Sequence, residues 1–427
     1  MSVLLLLALF LILALIGIPI AVSLGISSLT FLLLELKVPL AIVVQRIVGG
    51  IDSFPLMAIP FFVLAGAVMN SGGITDRIVA FSNSLIGWVR GGLALINILA
   101  SMIFGGISGS AVADTSSIGG VLIPAMKKEK YEADFAAAVT AFSSGLGPII
   151  PPSITMIVYG VITGTSISKL FLAGAIPGII FGVGQLIFTY IIAIKRDYPR
   201  HERVSLNEFY RTLKDVVWAL LMPVIIIGGI LLGVFTVTEA AAVAAVYSLF
   251  VGIFVYRELN SIKKLYEALY SSAMIVASIM ILIGCAQLYS WLLVIFRVPQ
   301  MLSAAIMSVT SNPLVVLLFI NVAMLIVGMF VEANAAMILF VPILFPMSQQ
   351  FGIDPVHLGI ILVFNLCLGL VTPPVGLCIS LAAKIAEVPL HKAVKATMPF
   401  MIVGISVLLL ITYIPDIVLL LPELVYK

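Results

Sequence analysis

Two stretches of this sequence combine residue types that a plain apolar segment does not need. "GGISGSAVADTSS" (Gly105–Ser117) sets small hydroxyls and an acid into an oily run, and "GLGPIIPPS" (Gly145–Ser153) breaks another with a proline pair. Ser110 and Asp114 stand four apart, so on a helix they share a face. An acid among apolar residues of this kind is costly and usually faces a cavity. Proline removes a backbone donor and clashes with the preceding helical turn. A helix broken there frees carbonyls that, with the C-terminal dipole behind them, suit a small cation, while the N–H groups opening the next half-helix suit an anion. The same parts recur downstream. "MFVEANAA" (Met329–Ala336) carries Glu332 and Asn334, and "LGLVTPPVG" (Leu368–Gly376) carries a second proline pair after Thr372.

Each of these residues also has a structural reading. Ser108 or Ser110 can cap a helix by accepting from its orphan N–H groups, and Ser153 and Thr155 can do the same after the first proline pair. Glu239 in "TVTEAAAVAA" is read as a first-turn acid that complements the helix dipole.

The surroundings decide what medium these groups occupy. The chain has 427 residues, of which 62% are hydrophobic and 10% charged, too few charges to coat a water-facing surface. Apolar runs recur from Val3 to Leu421, many near the roughly 20 residues of a bilayer-spanning helix. This is an all-α polytopic membrane protein. The first run, Val3–Leu34, has no basic leader and exceeds a signal-peptide core, so it is read as a retained first span with a cytoplasmic N-terminus. Cys285, Cys367 and Cys378 lie in apolar segments without metal-site spacing, and His201, His357 and His391 sit in no such cluster. No Gly-x-x-x-x-Gly-Lys is present, so the chain supplies no ATPase. An intramembrane enzyme would need a nucleophile–base pair or a metal cluster, and neither spacing occurs.

Basic residues gather at Lys127–Lys130, at Lys195–Lys214, at Arg257 with Lys263 and Lys264, and at Lys384, Lys392 and Lys395. Cytoplasmic loops carry the Lys/Arg excess, which places all four inside. Segments 131–164 and 169–194, then 216–235 and 238–256, form out-and-back pairs between them. Residues 91–126 and 312–350 fit no such count and read as re-entrant hairpins opening to opposite sides. Gly106, Leu122, Pro124, Gly147, Pro151, Pro152, Pro177 and Gly182 each find the same residue type 222 positions on. The halves therefore form an inverted repeat, the architecture of secondary transporters that bind at the bilayer midplane between discontinuous helices. Two hairpin tips and two broken spans give two cation sites beside one anion site. The expected division is 1–70 scaffold, 71–195 first transport repeat, 196–215 cytoplasmic loop, 216–293 scaffold and 294–427 second transport repeat. "TDRIVAFSNSLIGW" (Thr75–Trp88) is an amphipathic arm between scaffold and transport parts.

"GGISGSAVADTSSIGGVLIPAM", "SSGLGPIIPPSITMIVYG" and "LGLVTPPVGLCI" together resemble the large membrane subunit of the tripartite ATP-independent periplasmic (TRAP) transporters, over essentially the whole chain. The resemblance implies sodium-coupled import of an organic acid, C4-dicarboxylate or sialic acid, across a bacterial inner membrane by an elevator movement. It implies a small four-span membrane subunit and a periplasmic substrate-binding protein as partners, and no nucleic acid. Carried over by position, one Na⁺ would sit among Ser108, Gly109, Ser110, Gly145, Gly147 and Pro151, and a second among Gly328, Gly369 and Thr372. The substrate cavity would take Ser110, Asp114, Thr115, Ser153, Glu332 and Asn334, with Asp114 and Glu332 contacting substrate hydroxyls, tuning sodium affinity or holding an arginine. A self-sufficient sodium/anion symporter is the alternative. The C-terminus is expected on the periplasmic side.

Overall fold

The computed structural model describes residues 2–36 and 39–426, so the terminal positions 1 and 427 of the expected division lie outside the described residues. All regular structure among them is helical. The first half holds α1 (Ser2–Leu15), α2 (Ile20–Phe31, extended by a π-helical turn to Leu36), α3 (Leu40–Ile51), α4 (Ala58–Ser71, after a 3-10 turn Phe54–Met57), α5 (Ile74–Ile86), α6 (Gly92–Ser108), α7 (Ala111–Lys128), α8 (Ala133–Ser144), α9 (Ile154–Thr163) and α10 (Ile167–Lys195). The second half repeats the series as α11 (Leu206–Leu231), α12 (Val237–Phe250, ending in a π-helical turn Val251–Val255), α13 (Ile262–Ile295), α14 (Val298–Met307), α15 (Pro313–Phe330), α16 (Ala333–Gln350), α17 (Pro355–Gly369), α18 (Leu377–Ala386), α19 (Leu390–Tyr413) and α20 (Pro415–Val425). Shifting α7 by 222 residues lands on the bounds of α16. The unbroken α13 covers the stretch that α3, the 3-10 turn and α4 fill in the first half.

Ion pairs tie one face together. Arg77 meets Glu258 at 3.9 Å, Arg90 meets Asp197 at 2.9 Å, Lys127 meets Glu387 at 3.0 Å, and His201 meets Glu129 at 2.8 Å. Arg196 pairs with Glu132, and Lys264 reaches Glu258 at 3.8 Å. Exposed pairs of this kind add at most about 1 kcal/mol each, so their use here is geometric. All four basic clusters share one face of the molecule.

Packing falls into two groups of helices, which also meet where α13 touches α16 and α4 touches α6. In the first, the expected scaffold, α4 lies against α12 and α13, α13 also holds α2 and α3, and α11 runs beside α12. In the second, α7, α8 and α18 pack together, as do α9 with α16, α15 with α17, and α10 with α19 and α20. The helices α5 and α14 connect them, α5 against α6 and α11, α14 against α13 and α16.

Both hairpins have two-residue turns, Gly109–Ser110 and Val331–Glu332. By length and composition α15 is one of seven helices able to cross a membrane. Its tip nevertheless stops inside. Gly328 abuts Gly369 at the end of α17, and α18 continues from there to Glu387, the partner of Lys127 on the basic face. The ten residues of α18 rise about 15 Å, so the tip falls short of that face by this distance.

Two expectations change. The run Val3–Leu34 is not one span: Gly17, in a left-handed conformation at φ +92°, and Pro19 end one helix and start the next. The resulting pair α1–α2 folds back on itself like α11–α12. Phe31 near the end of α2 packs edge-on against Phe296 at the end of α13, 5.3 Å between ring centres. Since α13 starts on the basic face, the Ser2 end of α1 points to the opposite one. Tyr426 also lies there, stacked under Lys169 at the start of α10. The second change concerns 196–215, which is a loop only to Ser205. The Ser205 hydroxyl then accepts from the Glu208 amide at 3.2 Å and caps α11. Glu239 completes a capping box with Thr236, the structural role expected of it.

A Cβ at Gly369 would stand 2.4 Å from the Gly328 backbone, whereas one at Gly228 meets nothing within 4 Å. Gly369→Ala should therefore lower the melting point in detergent sharply, by the equivalent of about 1–3 kcal/mol or more. Gly228→Ala, its control in the same thermal size-exclusion assay, should leave the melting point unchanged or slightly raised.

Candidate functional site

The first break opens where α8 ends at Ser144. The chain turns through Gly145–Pro152, with the Pro151–Pro152 peptide cis, and re-enters a helix at Ser153, whose hydroxyl accepts from the Met156 amide at 3.2 Å. Against this segment lies the tip of the first hairpin. Gly109 takes φ +60°, a conformation side chains resist, and the Ser110 hydroxyl accepts from the Ala113 amide to cap α7. Backbone meets backbone here. A Cβ on Gly109 would stand 2.6 Å from the Pro152 carbonyl oxygen, and one on Gly147 3.1 Å from the Ser110 carbonyl carbon. Among the described residues, the carbonyls of Gly147 to Pro152 accept no hydrogen bond. The residues expected to hold the first sodium, Ser108, Gly109, Ser110, Gly145, Gly147 and Pro151, thus belong to the tip and the break that meet here, with Ser153 beside them.

The second break mirrors the first. Gly328 and Gly369 touch, the Val375 amide donates to the Met329 carbonyl at 3.3 Å, and Pro373–Pro374 is also cis. The carbonyls of Val371 to Pro374 accept no hydrogen bond among the described residues. Thr372 donates its hydroxyl to the Leu368 carbonyl at 2.6 Å, which leaves its oxygen lone pairs free on the side of the break. Glu332 occupies the cap position of α16. Its carboxylate accepts from the amides of Asn334 at 2.9 Å and Ala335 at 3.1 Å, and from the Asn334 side chain at 2.9 Å. The Asn334 carbonyl oxygen accepts from the Thr155 hydroxyl at 3.1 Å, a bond that joins the first broken helix to the second hairpin.

The halves differ in exposure. Pro151, Pro152 and Ser153 are all buried, and scaffold helix α4 presses on the first tip, with a Cβ on Gly66 reaching 3.4 Å from the Ser108 backbone. At the second break Pro374, Val375 and Leu377 are exposed.

Asp114 and Thr115 lie behind the first tip. Asp114 is fully buried, and one carboxylate oxygen accepts from the Ser101 hydroxyl at 2.9 Å and the Ser144 hydroxyl at 2.8 Å. Its other oxygen has no partner among the described residues. Thr115 donates to the Ala111 carbonyl at 2.9 Å. The bonds continue from Ser101 to Ser143, from Ser143 to Asn97, and from Asn97 to Thr140, so the hairpin is clamped to α8 by buried side chains. The sequence reading missed this cluster, although Asn97 with Ser101 and Thr140 with Ser144 repeat at i, i+4 in otherwise apolar runs. In the second half Asn321 joins Asn365 at 2.8 Å and Thr412 at 2.9 Å, tying α15 to α17 and α19. No set of three His, Cys, Asp or Glu among the described residues could hold a transition metal.

The family described as "Tripartite ATP-independent periplasmic transporter, DctM component" matches residues 7–417. The chain belongs to this family. It is a TRAP transporter large permease subunit, a multi-pass membrane protein and not an enzyme. It is 41% identical to the sialic acid TRAP transporter large permease protein SiaM of Vibrio cholerae over 96% of this chain and 95% of that one. To the C4-dicarboxylate TRAP transporter large permease protein DctM of Pseudomonas aeruginosa it is 39% identical, covering 94% of each. To the 2,3-diketo-L-gulonate TRAP transporter large permease protein YiaN of Escherichia coli it is 38% identical, covering 95% of each. Among solved structures, the Alcanivorax borkumensis YdaH transporter superposes with a TM-score of 0.62 at 13% identity, covering 87% of this chain and 88% of that one, a likeness of fold alone.

Leaving the permease's buried carboxylate short of a donor carries a cost of about 1–3 kcal/mol. Ser144→Ala should lower detergent thermal stability by that order, while Ser116→Ala, at an exposed hydroxyl of the same hairpin, should not. Equal melting points for the two variants would remove the clamp from the account.

Proposed function

We propose that this permease imports an organic acid of the C4-dicarboxylate or sialic acid class across the bacterial inner membrane, driven by sodium. The supporting observation is the pair of helix breaks, each with free backbone carbonyls and each facing a hairpin tip. One Na⁺ binds the carbonyls of Gly145 to Pro151 with the Ser108–Ser110 tip, and a second binds those around Gly369 and Thr372 with Gly328. Four helices, α7, α9, α16 and α18, begin at the tips and breaks, and their N-terminal dipoles favour a carboxylate beside the two ions. Ser110, Ser153 and Asn334 supply polar groups to the substrate. Glu332 is held by its own helix amides, and Asp114 and Thr115 act by holding the first tip in place. Each sodium moved through 100 mV contributes about 2.3 kcal/mol.

The basic face is cytoplasmic by the Lys/Arg rule, which puts both chain ends on the periplasmic side. The body built on the hairpins slides as an elevator against the α4, α12 and α13 scaffold. A small four-span membrane subunit completes that scaffold, and a periplasmic binding protein delivers the acid, as the relatives' transporter class suggests.

Liposomes bearing the permease with its small subunit should accumulate labelled succinate or N-acetylneuraminate only when an inward sodium gradient and the matching binding protein are both supplied. Full uptake by the permease alone would instead indicate a self-sufficient symporter. In the same vesicles Thr372→Val should raise the half-saturating sodium concentration severalfold, and an unchanged sodium curve would remove Thr372 from the second site.

A further inference from the structure

We propose that Arg46 is an anion-receiving site on the scaffold wall, where the carboxylate of an incoming acid rests before the hairpin tips take it. The inference rests on the transport reading above and adds a site that lies outside both breaks.

Gln45 and Arg46 interrupt the otherwise apolar helix "LAIVVQRIVGGI" of α3. Arg46 stands six residues after Leu40, about 9 Å along the helix axis. A cation within a membrane segment is costly unless it meets a partner or a wet cavity. Its guanidinium lies over the Trp291 ring, 4.8 Å from the centre, and no carboxylate among the described residues comes within ion-pair distance. Exposed on α3, Arg46 borders an open cavity of about 780 Å³ whose polar lining is Gln45, Ser53, Gln287, Ser290 and Trp291, the rest being glycine and apolar residues such as Ile42 and Val294. That volume lies in the usual range for small-molecule sites. A planar guanidinium pairs with both oxygens of a carboxylate, and the amides and hydroxyls around it suit the hydroxyls of a polar acid.

Position adds the second argument. The cavity runs along α3, from Ile42 to Ser53, beside the last turns of α13, the helix whose first turn carries the basic Lys263 and Lys264. Its two helices pack closely: a Cβ on Gly50 would stand 2.5 Å from the Gln287 side chain, and one on Gly284 3.0 Å from the Ile47 carbonyl oxygen. The one transport-body residue in the lining is Val161, near the end of α9. Ser153 opens that helix eight residues earlier, about 12 Å along the axis. An elevator stroke of that length brings the Ser153 end level with Arg46. The fixed guanidinium then stands opposite the moving N–H groups, and the acid passes from one to the other.

Trp291 is a built-in reporter, since the chain has only two other tryptophans, Trp88 and Trp218. In a Trp88→Phe, Trp218→Phe background, with the small subunit in nanodiscs and no sodium, succinate or N-acetylneuraminate should change Trp291 emission saturably. Arg46→Gln should abolish the change. In liposomes Arg46→Gln should raise the half-saturating concentration of acid-loaded binding protein about tenfold, with half-saturating sodium unchanged, the pattern of lost ground-state binding. If Arg46→Gln does not fold, Arg46→Lys carries the test and should raise half-saturation severalfold, because the bidentate fork is gone. Emission that responds to neither acid, or variants that titrate and transport like the parent, would overturn the site. A parent protein without sodium-driven uptake counts against the transport reading instead, and the Trp291 titration still judges Arg46.

Discussion

Backbone unpaired in an apolar medium must be covered by protein or open to a wet cavity, and this chain meets that constraint by pressing hairpin tips onto broken helices. The contact is made by main chain. Gly105 lies on Gly147, Gly109 on Pro152, and Gly328 on Gly369, at separations too short for a Cβ at Gly109 or Gly369 and tight for one at Gly105. Side chains are thereby kept out, and the carbonyls at Gly147–Pro152 and Val371–Pro374 stay available to something small. Much of the remaining structure holds those four backbone segments in register. The Asp114 cluster fixes the first hairpin to α8, the Asn321–Asn365–Thr412 bonds fix the second to α17 and α19, and the Thr155–Asn334 bond joins the two halves.

The repeat is faithful in backbone and unfaithful in side chains, and the differences carry information. Ser110 caps the first hairpin where Glu332 caps the second, Ser153 corresponds to Val375, and Asp114 to Ala336. The first break is sealed beneath α4, and the second is open. The two breaks are thus alike in backbone and unlike in side chains and exposure.

Proline and glycine made the working parts legible. Paired prolines in oily runs, flanked by Gly147 and Gly369 and repeated at a fixed interval, have few readings other than paired breaks in a duplicated membrane fold. The first hairpin was equally plain, because an apolar run between Arg90 and Lys127 cannot cross an odd number of times when both ends are inside. What failed was less punctuated. The turn at Gly17–Pro19 sits inside a continuous apolar stretch, so hydropathy merged two helices into one run. Polar residues from 206 onward were read as loop, although Ser205 and Glu208 carry a capping pattern that starts α11. The partners of Asp114 lie on two other helices, and only the packing of α6, α7 and α8 assembles them. Arg46 drew no attention as a lone charge, since its meaning comes from Gln287, Ser290 and Trp291 far along the chain.

Backbone amide exchange measured in sodium and again in choline tests the central claim most directly, because it reads the breaks themselves. Sodium should slow exchange at residues 109–111 and 145–150 together with 328–334 and 369–377, and leave the scaffold helices α11 to α13 unaltered. Exchange at both breaks that is indifferent to sodium, or protection confined to segments away from the hairpin tips, would contradict it.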